Sequence, residues 1–306
     1  MLHAPTSPPS STRAQHDLQR ALAQLNHRRL APVVADESWH KTHDDDLRLI
    51  EQEADFVERM RADVAPLLSS LPTRPAEFVA WFDALKQSGP GQGDPLFPWL
   101  AEHATRDEMR WFLAQEVAGE AGFDDLVALT QIKMPERAKL EMARNYWDEM
   151  GRGAAKGMHG PMLNRLAATF NIKATPETTV SEALALGNLM IALACNRRYA
   201  FHSVGALGVI EMTAPTRVGF VNQGLRRLGI GARDRHYFAL HATLDIRHSE
   251  AWNREVLLSL VSEDRRRARP IAEGALMRLL CGQRCFDRYR AHFKIAAPGA
   301  VAEPSP

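Results

Sequence analysis

Apolar residues recur three and four positions apart through most of this chain, the spacing that lines one face of an α-helix. On that spacing helices are predicted over 13–29, 43–70, 75–88, 105–132, 135–150, 158–170, 179–213, 216–228, 234–262 and 267–293. Period-2 alternation never lasts. Val209-Ile210 and Val218-Gly219-Phe220-Val221 are too short to build a sheet. The predicted fold class is therefore all-α. Two capping boxes mark helix starts, Thr105-Arg-Asp-Glu108 and Thr179-Val-Ser-Glu182, where side chains satisfy unpaired backbone N–H groups. Pro135, Pro176 and Pro270 sit at or near starts, where a missing N–H costs nothing. Gly89-Pro-Gly-Gln-Gly93, Gly151-Arg-Gly153 and Gly229-Ile-Gly231 read as stops.

The same pass sets the organisation. Residues 1–12 and 296–306, rich in Pro, Ser and Ala, are expected to be disordered tails. One helical domain is expected over 104–295. A helical N-terminal extension over 13–103 would pack on or beside it, with 89–97 as the boundary segment. The 306 residues are 45% hydrophobic and 25% charged, an ordinary globular mixture. A net charge of +1 gives no basic excess to meet phosphate, so no nucleic-acid partner is expected. The first residues, MLHAPTSPPSSTR, contain no apolar run of the secretory kind, and no stretch of ~18 apolar residues occurs. The expectation is a cytoplasmic protein without a membrane partner. Three cysteines, Cys195, Cys281 and Cys285, argue against a disulfide framework. Cys281 and Cys285 read as core thiols.

Candidate chemistry is concentrated in Leu240-His241-Ala-Thr-Leu-Asp245-Ile-Arg-His248. On a helix, positions 241, 245 and 248 fall within ~60° of one another. Two imidazoles and a carboxylate on one face make half of a site for iron, manganese or zinc. They equally describe a charged face, or a core histidine with an Asp partner. Other donors must come from elsewhere. Glu211 closes the apolar run Ala206-Leu-Gly-Val-Ile-Glu211; it either marks the helix end in water or is buried and paired. Glu149 and His159 are separated by a Gly-rich break, which leaves their relative direction open. Glu116 lies on an apolar face, and Glu120, one turn later, competes for the same role.

These residues carry a resemblance. Glu149-x9-His159, then Glu211, then His241-x3-Asp245-x2-His248 resemble the ligand pattern of the heme-oxygenase-like diiron oxidases and oxygenases, the iron-containing redox enzymes. The stretches Phe112-Leu-Ala-Gln-Glu116, Phe123-Asp124-Asp125-Leu-Val-Ala-Leu and Ala143-Arg-Asn-Tyr-Trp-Asp-Glu149-Met-Gly resemble one branch of them. The likeness covers about 105–260. It implies a heme-oxygenase-like helical bundle, two non-heme Fe ions without heme, and O2 as co-substrate. It further implies oxidation of a small amino-acid, amine or fatty-acid-like molecule. Carried over, the metal ligands would be Glu116, Glu149, His159, Glu211, His241, Asp245 and His248, with no catalytic group beyond them. Glu120 stays an alternative to Glu116. The expected partners are a small-molecule substrate, an external electron donor (no flavin or nicotinamide fingerprint occurs) and a second copy of the chain in a homodimer.

Other residues carry weaker readings. His202, nine positions before Glu211, points away from it on a straight helix and reads as a core or supporting histidine. Arg197, Arg198 and Tyr199 could receive a substrate carboxylate or simply face water. Asp124 and Asp125 could orient ligands or decorate a surface. An apolar wall of Leu186, Met190, Leu193, Leu207 and Ile210 could keep the site dry or be plain core. Glu37-x-x-His40 occurs once, where ferritin-like sites need the motif twice. Asp44-Asp-Asp46 reads as acidic charge at a helix start. Two rival functions stand beside the oxidase: a binding or scaffold protein on the same fold, and a thiaminase-like relative. The second would need a cysteine nucleophile beside a base, and no motif supplies one.

Overall fold

The computed structural model describes residues 9–34, 40–119 and 122–298. In chain order its helices are α1 (Pro9–Leu30), α2 (His40–Val64), α3 (Pro75–Ser88), α4 (Leu96–Glu102), α5 (Arg106–Gly119), α6 (Phe123–Thr130) and α7 (Glu136–Glu149). They continue with α8 (His159–Thr169), α9 (Ser181–Cys195), α10 (Ala200–Arg227), α11 (His236–Ala251), α12 (Leu258–Glu263) and α13 (Ala268–Phe293). Among the described residues there is no strand. One isolated antiparallel bridge pairs Met150 with Met158. The protein is all-α, as its apolar spacing predicts. Of the expected tails, 1–8 and 299–306 lie outside the described residues, and α1 begins at Pro9, inside the first of them.

Local chemistry explains several helix ends. The Thr105 box forms: the Thr105 N–H donates to Glu108 Oε2 at 2.8 Å, and the Glu108 N–H donates back to Thr105 Oγ1 at 3.3 Å. The Thr179 box does not. Its hydroxyl donates to the Thr175 carbonyl at 2.7 Å, while the side-chain oxygen of Gln115 accepts the Val180 N–H at 2.9 Å, so α9 starts later, at Ser181. The helix expected over 105–132 is broken at Gly122, whose φ of 69° suits glycine. The break expected near Pro215 is absent. Asn196 instead ends α9, its Oδ1 accepting the Arg198 N–H at 3.0 Å, and α10 runs through Pro215. Pro215 offers no N–H to the Glu211 carbonyl one turn back. Packing on several sides of α10 overrides that local preference.

Two glycines bring α10 and α13 into backbone contact. A Cβ added to Gly205 would stand 1.8 Å from the Ile271 carbonyl oxygen, and one added to Gly274 would stand 1.8 Å from the His202 carbonyl oxygen. A cation cluster sits on this crossing. Buried Glu273 accepts from Arg61 and Arg269, each at 2.9 Å, and its Oε2 lies 3.0 Å from His202 Nε2. Burial alone would raise the Glu273 carboxyl, but His202 and Arg61 hold it down to about 2. The N-terminal helices share this core: Leu22 of α1 and Val57 of α2 join the apolar cluster of Val204, Leu207 and Trp252. Buried Asn188 of α9 bonds both Asn26 and Gln19 of α1. A second apolar cluster, containing Leu96, Phe112, Phe238 and Phe286, lies beyond. Residues of both clusters line one cavity of about 140 Å³. Past α11 the chain winds through a wide π turn, Trp252–Leu257, before α12. There the Trp252 indole N–H donates to the Val204 carbonyl at 3.3 Å, and Glu255 accepts from Arg137 of α7 at 2.7 Å.

Two outcomes follow. Gly274→Ala, which would gain about 1 kcal/mol in an open helix, instead destabilises the protein by about 1–3 kcal/mol through overpacking; a chemical denaturation midpoint at or above the parent's would disprove the contact. Because the Glu273 pKa is depressed on folding, its stabilisation is present above its ordinary 4.5 and is lost as pH falls toward 2. Comparison of acid unfolding curves should show that portion missing in Glu273→Gln.

Candidate metal centre

The centre is built from one loop, the two helix ends that flank it, and two further helices. Glu149 is the last residue of α7 and His159 the first of α8. The loop between them doubles back so that Met150 and Met158 pair. Gly151 makes this turn feasible: its φ is 61°, and a Cβ there would lie 2.3 Å from the Gly157 carbonyl carbon. The fold-back sets the Glu149 and His159 side chains against each other. α11 contributes His241, Asp245 and His248, and α10 contributes Glu211.

These six side chains are all buried and form two groups, Glu149 with His159 and His241, and Glu211 with Asp245 and His248. Within each group one donor atom per residue lies within 4.8 Å of the others. His159 Nδ1 is 2.6 Å from Glu149 Oε2, and His248 Nδ1 is 3.4 Å from Glu211 Oε2. Neither nitrogen has a hydrogen-bond partner among the described residues. Buried donor atoms this close, and not joined by hydrogen bonds, suit a cation placed between them. The imidazole and carboxylate donors suit divalent iron.

Neighbouring groups fix the rings. His241 Nδ1–H donates to the Tyr237 carbonyl at 2.7 Å, which leaves Nε2 bare toward the group. His248 Nε2 lies 3.1 Å from Asp148 Oδ2, and Asp148 is itself held by Arg152 Nε at 2.6 Å. Asn145 Nδ2 donates to Glu211 Oε1 at 2.5 Å. With protein charges alone the cluster is strained. Burial and the Glu211 charge push the Glu149 carboxyl up to about 9. Burial and the His248 charge lower His159 to about 4, and burial with the His159 charge lowers His241 likewise to about 4. Burial opposes a charged His248, but Glu211 and Asp148 outweigh it and raise the ring to about 9.

The structure thus brings together six of the seven residues the resemblance implied. Glu116 belongs to neither group. It lines the same cavity, but its Oε1 accepts from the Tyr289 hydroxyl at 3.3 Å and the charges that act on it are Arg278 and Arg217. Glu120 lies outside the described residues, as do Glu37 and the His40 side chain. Asp124 adds its charge to the surroundings of both Glu149 and His159. His202 pairs with Glu273, a core role. Arg197 donates to the carbonyls of Leu129 and Thr130, and Arg198 and Tyr199 bond Glu58, so these three brace helices and do not line the cavity. Leu186, Met190 and Ile210 line the cavity; Leu193 and Leu207 are core. Cys285 also lines the cavity, but burial raises its thiol well above 9, the opposite of an activated nucleophile. Sequence reasoning missed Asp148 and Asn145. The signal was present: both stand within one helical turn of Glu149.

Fold and site together define an all-helical protein with a buried histidine and carboxylate centre. Residues 110–283 match the family model described as iron-containing redox enzymes, and the chain belongs to that family. Its fold is similar to a crystal structure from Shewanella denitrificans, titled a domain of unknown function with a heme oxygenase-like fold. That likeness covers 76% of this chain and 97% of the other, at 13% identity and a TM-score of 0.50, and makes the bundle heme-oxygenase-like. No curated protein matches the chain. Among the described residues no helix is long and apolar enough to cross a membrane.

Asp148 tests the geometry directly. Asp148→Asn weakens the acceptor that orients His248, so affinity for a divalent ion should fall about 10- to 100-fold with helicity unchanged. Competition with a metal indicator reads this; undiminished affinity would free His248 from Asp148.

Proposed function

We propose that this protein is a non-heme diiron oxidase or oxygenase: it holds one iron ion at each buried group and uses dioxygen to oxidise a small organic substrate. The observation that carries the reading is the pair of groups itself, three carboxylates and three imidazoles buried side by side, with Glu149, Glu211, His241 and Asp245 lining one cavity. Three carboxylates nearly balance two divalent ions, which turns a costly buried cluster into a satisfied one. Bound ferrous ions would supply electrons for the reduction of dioxygen. The chain's own residues do the rest. Asp148, the Tyr237 carbonyl and Asn145 hold His248, His241 and Glu211 in place. Phe123, Leu126, Leu186 and Met190 wall the cavity with apolar surface and keep bulk water from the reacting centre. Reducing equivalents come from an external donor.

Anaerobic loading followed by a chelator assay should find two irons per chain, and the loaded protein should consume dioxygen at an electrode. His241→Ala and Asp245→Ala each remove a donor from a different group, so each should lower the content to about one. A parent chain that retains one iron or none would overturn the proposal.

A further inference from the structure

The cavity has a second polar end. Arg217 of α10 and Arg278 of α13 line it, together with Glu116 of α5. Arg217 donates to Thr213 Oγ1 at 2.7 Å, and its guanidinium stacks 5.5 Å over Phe286 and 6.0 Å over Phe97. Arg278 Nε is buried with no hydrogen-bond partner among the described residues. Among those residues neither guanidinium has a carboxylate at ion-pair distance. Glu116, whose Oε1 accepts from Tyr289, is the acid whose field reaches both. Two cations therefore face one carboxylate inside an apolar chamber. Burial and the Arg278 charge pull Arg217 down to about 9, which marks the shortage of negative charge at this end. A buried guanidinium without a full counter-charge is expensive, and an anion supplied from outside removes that cost.

The two ends are joined by one helix face. Ile210, Glu211, Ala214, Arg217, Val218 and Val221 all line the cavity from α10. Arg217 lies six residues past Glu211, about 9 Å further along the axis at 1.5 Å per residue. Phe97 and Phe112 make the wall at the arginine end, and Ala214 leaves space between the ends.

We propose that Arg217 and Arg278 form an anion subsite that takes the carboxylate of an amphipathic substrate, holding it away from the two metal groups while the apolar body lies along α10 toward them. Glu116 is the resident counter-charge of this subsite and not a ligand of the irons. Calling the bound molecule a substrate rests on the diiron reading; the subsite itself does not. The shared chemistry is a carboxylate on an apolar chain, which a fatty acid and an α-amino acid of similar length both offer.

The probe is octanoate, titrated calorimetrically into anaerobic iron-loaded protein, beside 1-octanol and octylamine. Octanoate should bind at least about tenfold more tightly than either. Arg278→Gln and Arg217→Gln should each remove that preference and leave octanol binding unchanged. Arg278→Lys should restore part of it. Glu116→Gln, which removes the competing charge, should tighten octanoate severalfold and keep two irons per chain; this variant carries the test if an arginine variant fails to fold. 2-Aminooctanoate separates the two sources: an advantage over octanoate that disappears in Glu116→Gln assigns the site to an amino acid, and no advantage assigns it to a fatty acid. Octanoate binding no better than octanol, or unchanged in both Arg→Gln variants, overturns the subsite. Iron content and dioxygen uptake report separately. Arginine-dependent octanoate binding in a chain without two irons leaves the subsite standing and removes the diiron reading, and the reverse pattern does the opposite.

Discussion

Three carboxylates and three imidazoles are buried side by side, and charged groups taken out of water must find partners or lose their charge. That requirement shapes the middle of the bundle. The loop after α7 doubles back to bring Glu149 to His159; α11 turns one face inward for three donors; α10 delivers Glu211 at the end of an apolar run. Each donor then needs a neighbour to keep it aimed, and Asn145, Asp148 and the Tyr237 carbonyl provide that. The close α10–α13 crossing at Gly205 and Gly274 holds the helix that carries Glu211 and Arg217, so precision at the centre begins with the absence of two methyl groups elsewhere.

The cavity is polarised by the same helix. Its wall carries an acid toward the His-rich end and a guanidinium toward the other, with aliphatic side chains between. Such an axis constrains the direction in which an amphipathic molecule enters and rests. The stacking of Arg217 on Phe97 and Phe286 keeps its charge at a fixed height, where a free arginine would sample many rotamers.

The helical class was legible because apolar spacing is a property of the sequence itself, and the α11 triple was legible for the same reason: 4 and 3 spacing fixes direction on a helix. Glu149 and His159 were not fixed this way. Their approach depends on a loop that doubles back at Gly151, and no periodicity describes that. Asp148 and Asn145 differ from their exposed neighbours only in where α7 packs. Glu116 shows the reverse limit. Its position in a resembling stretch suggested a metal ligand, yet its carboxylate sits in the field of two arginines contributed by α10 and α13, far away in sequence. Pro215 and Thr179 mislead for a common reason. A local stop or cap signal is worth about 1–3 kcal/mol, and tertiary packing of α10 and the Gln115 contact outweigh it.

The wide turn at Trp252–Leu257 has a consequence for how the chain tolerates change. In a regular α-helix each added residue rotates everything beyond it by about 100°, so a donor face and a core face on one continuous helix would be locked in register. The π turn, one residue larger per turn, offsets the apolar face of α12 from His248 by a different angle than an unbroken α-helix would. Trp252 pins its near side to α10 and Glu255 pins its far side to α7. Each side of the turn is thereby held by its own contact, so the α11 donors and the apolar face of α12 do not depend on one shared helical register.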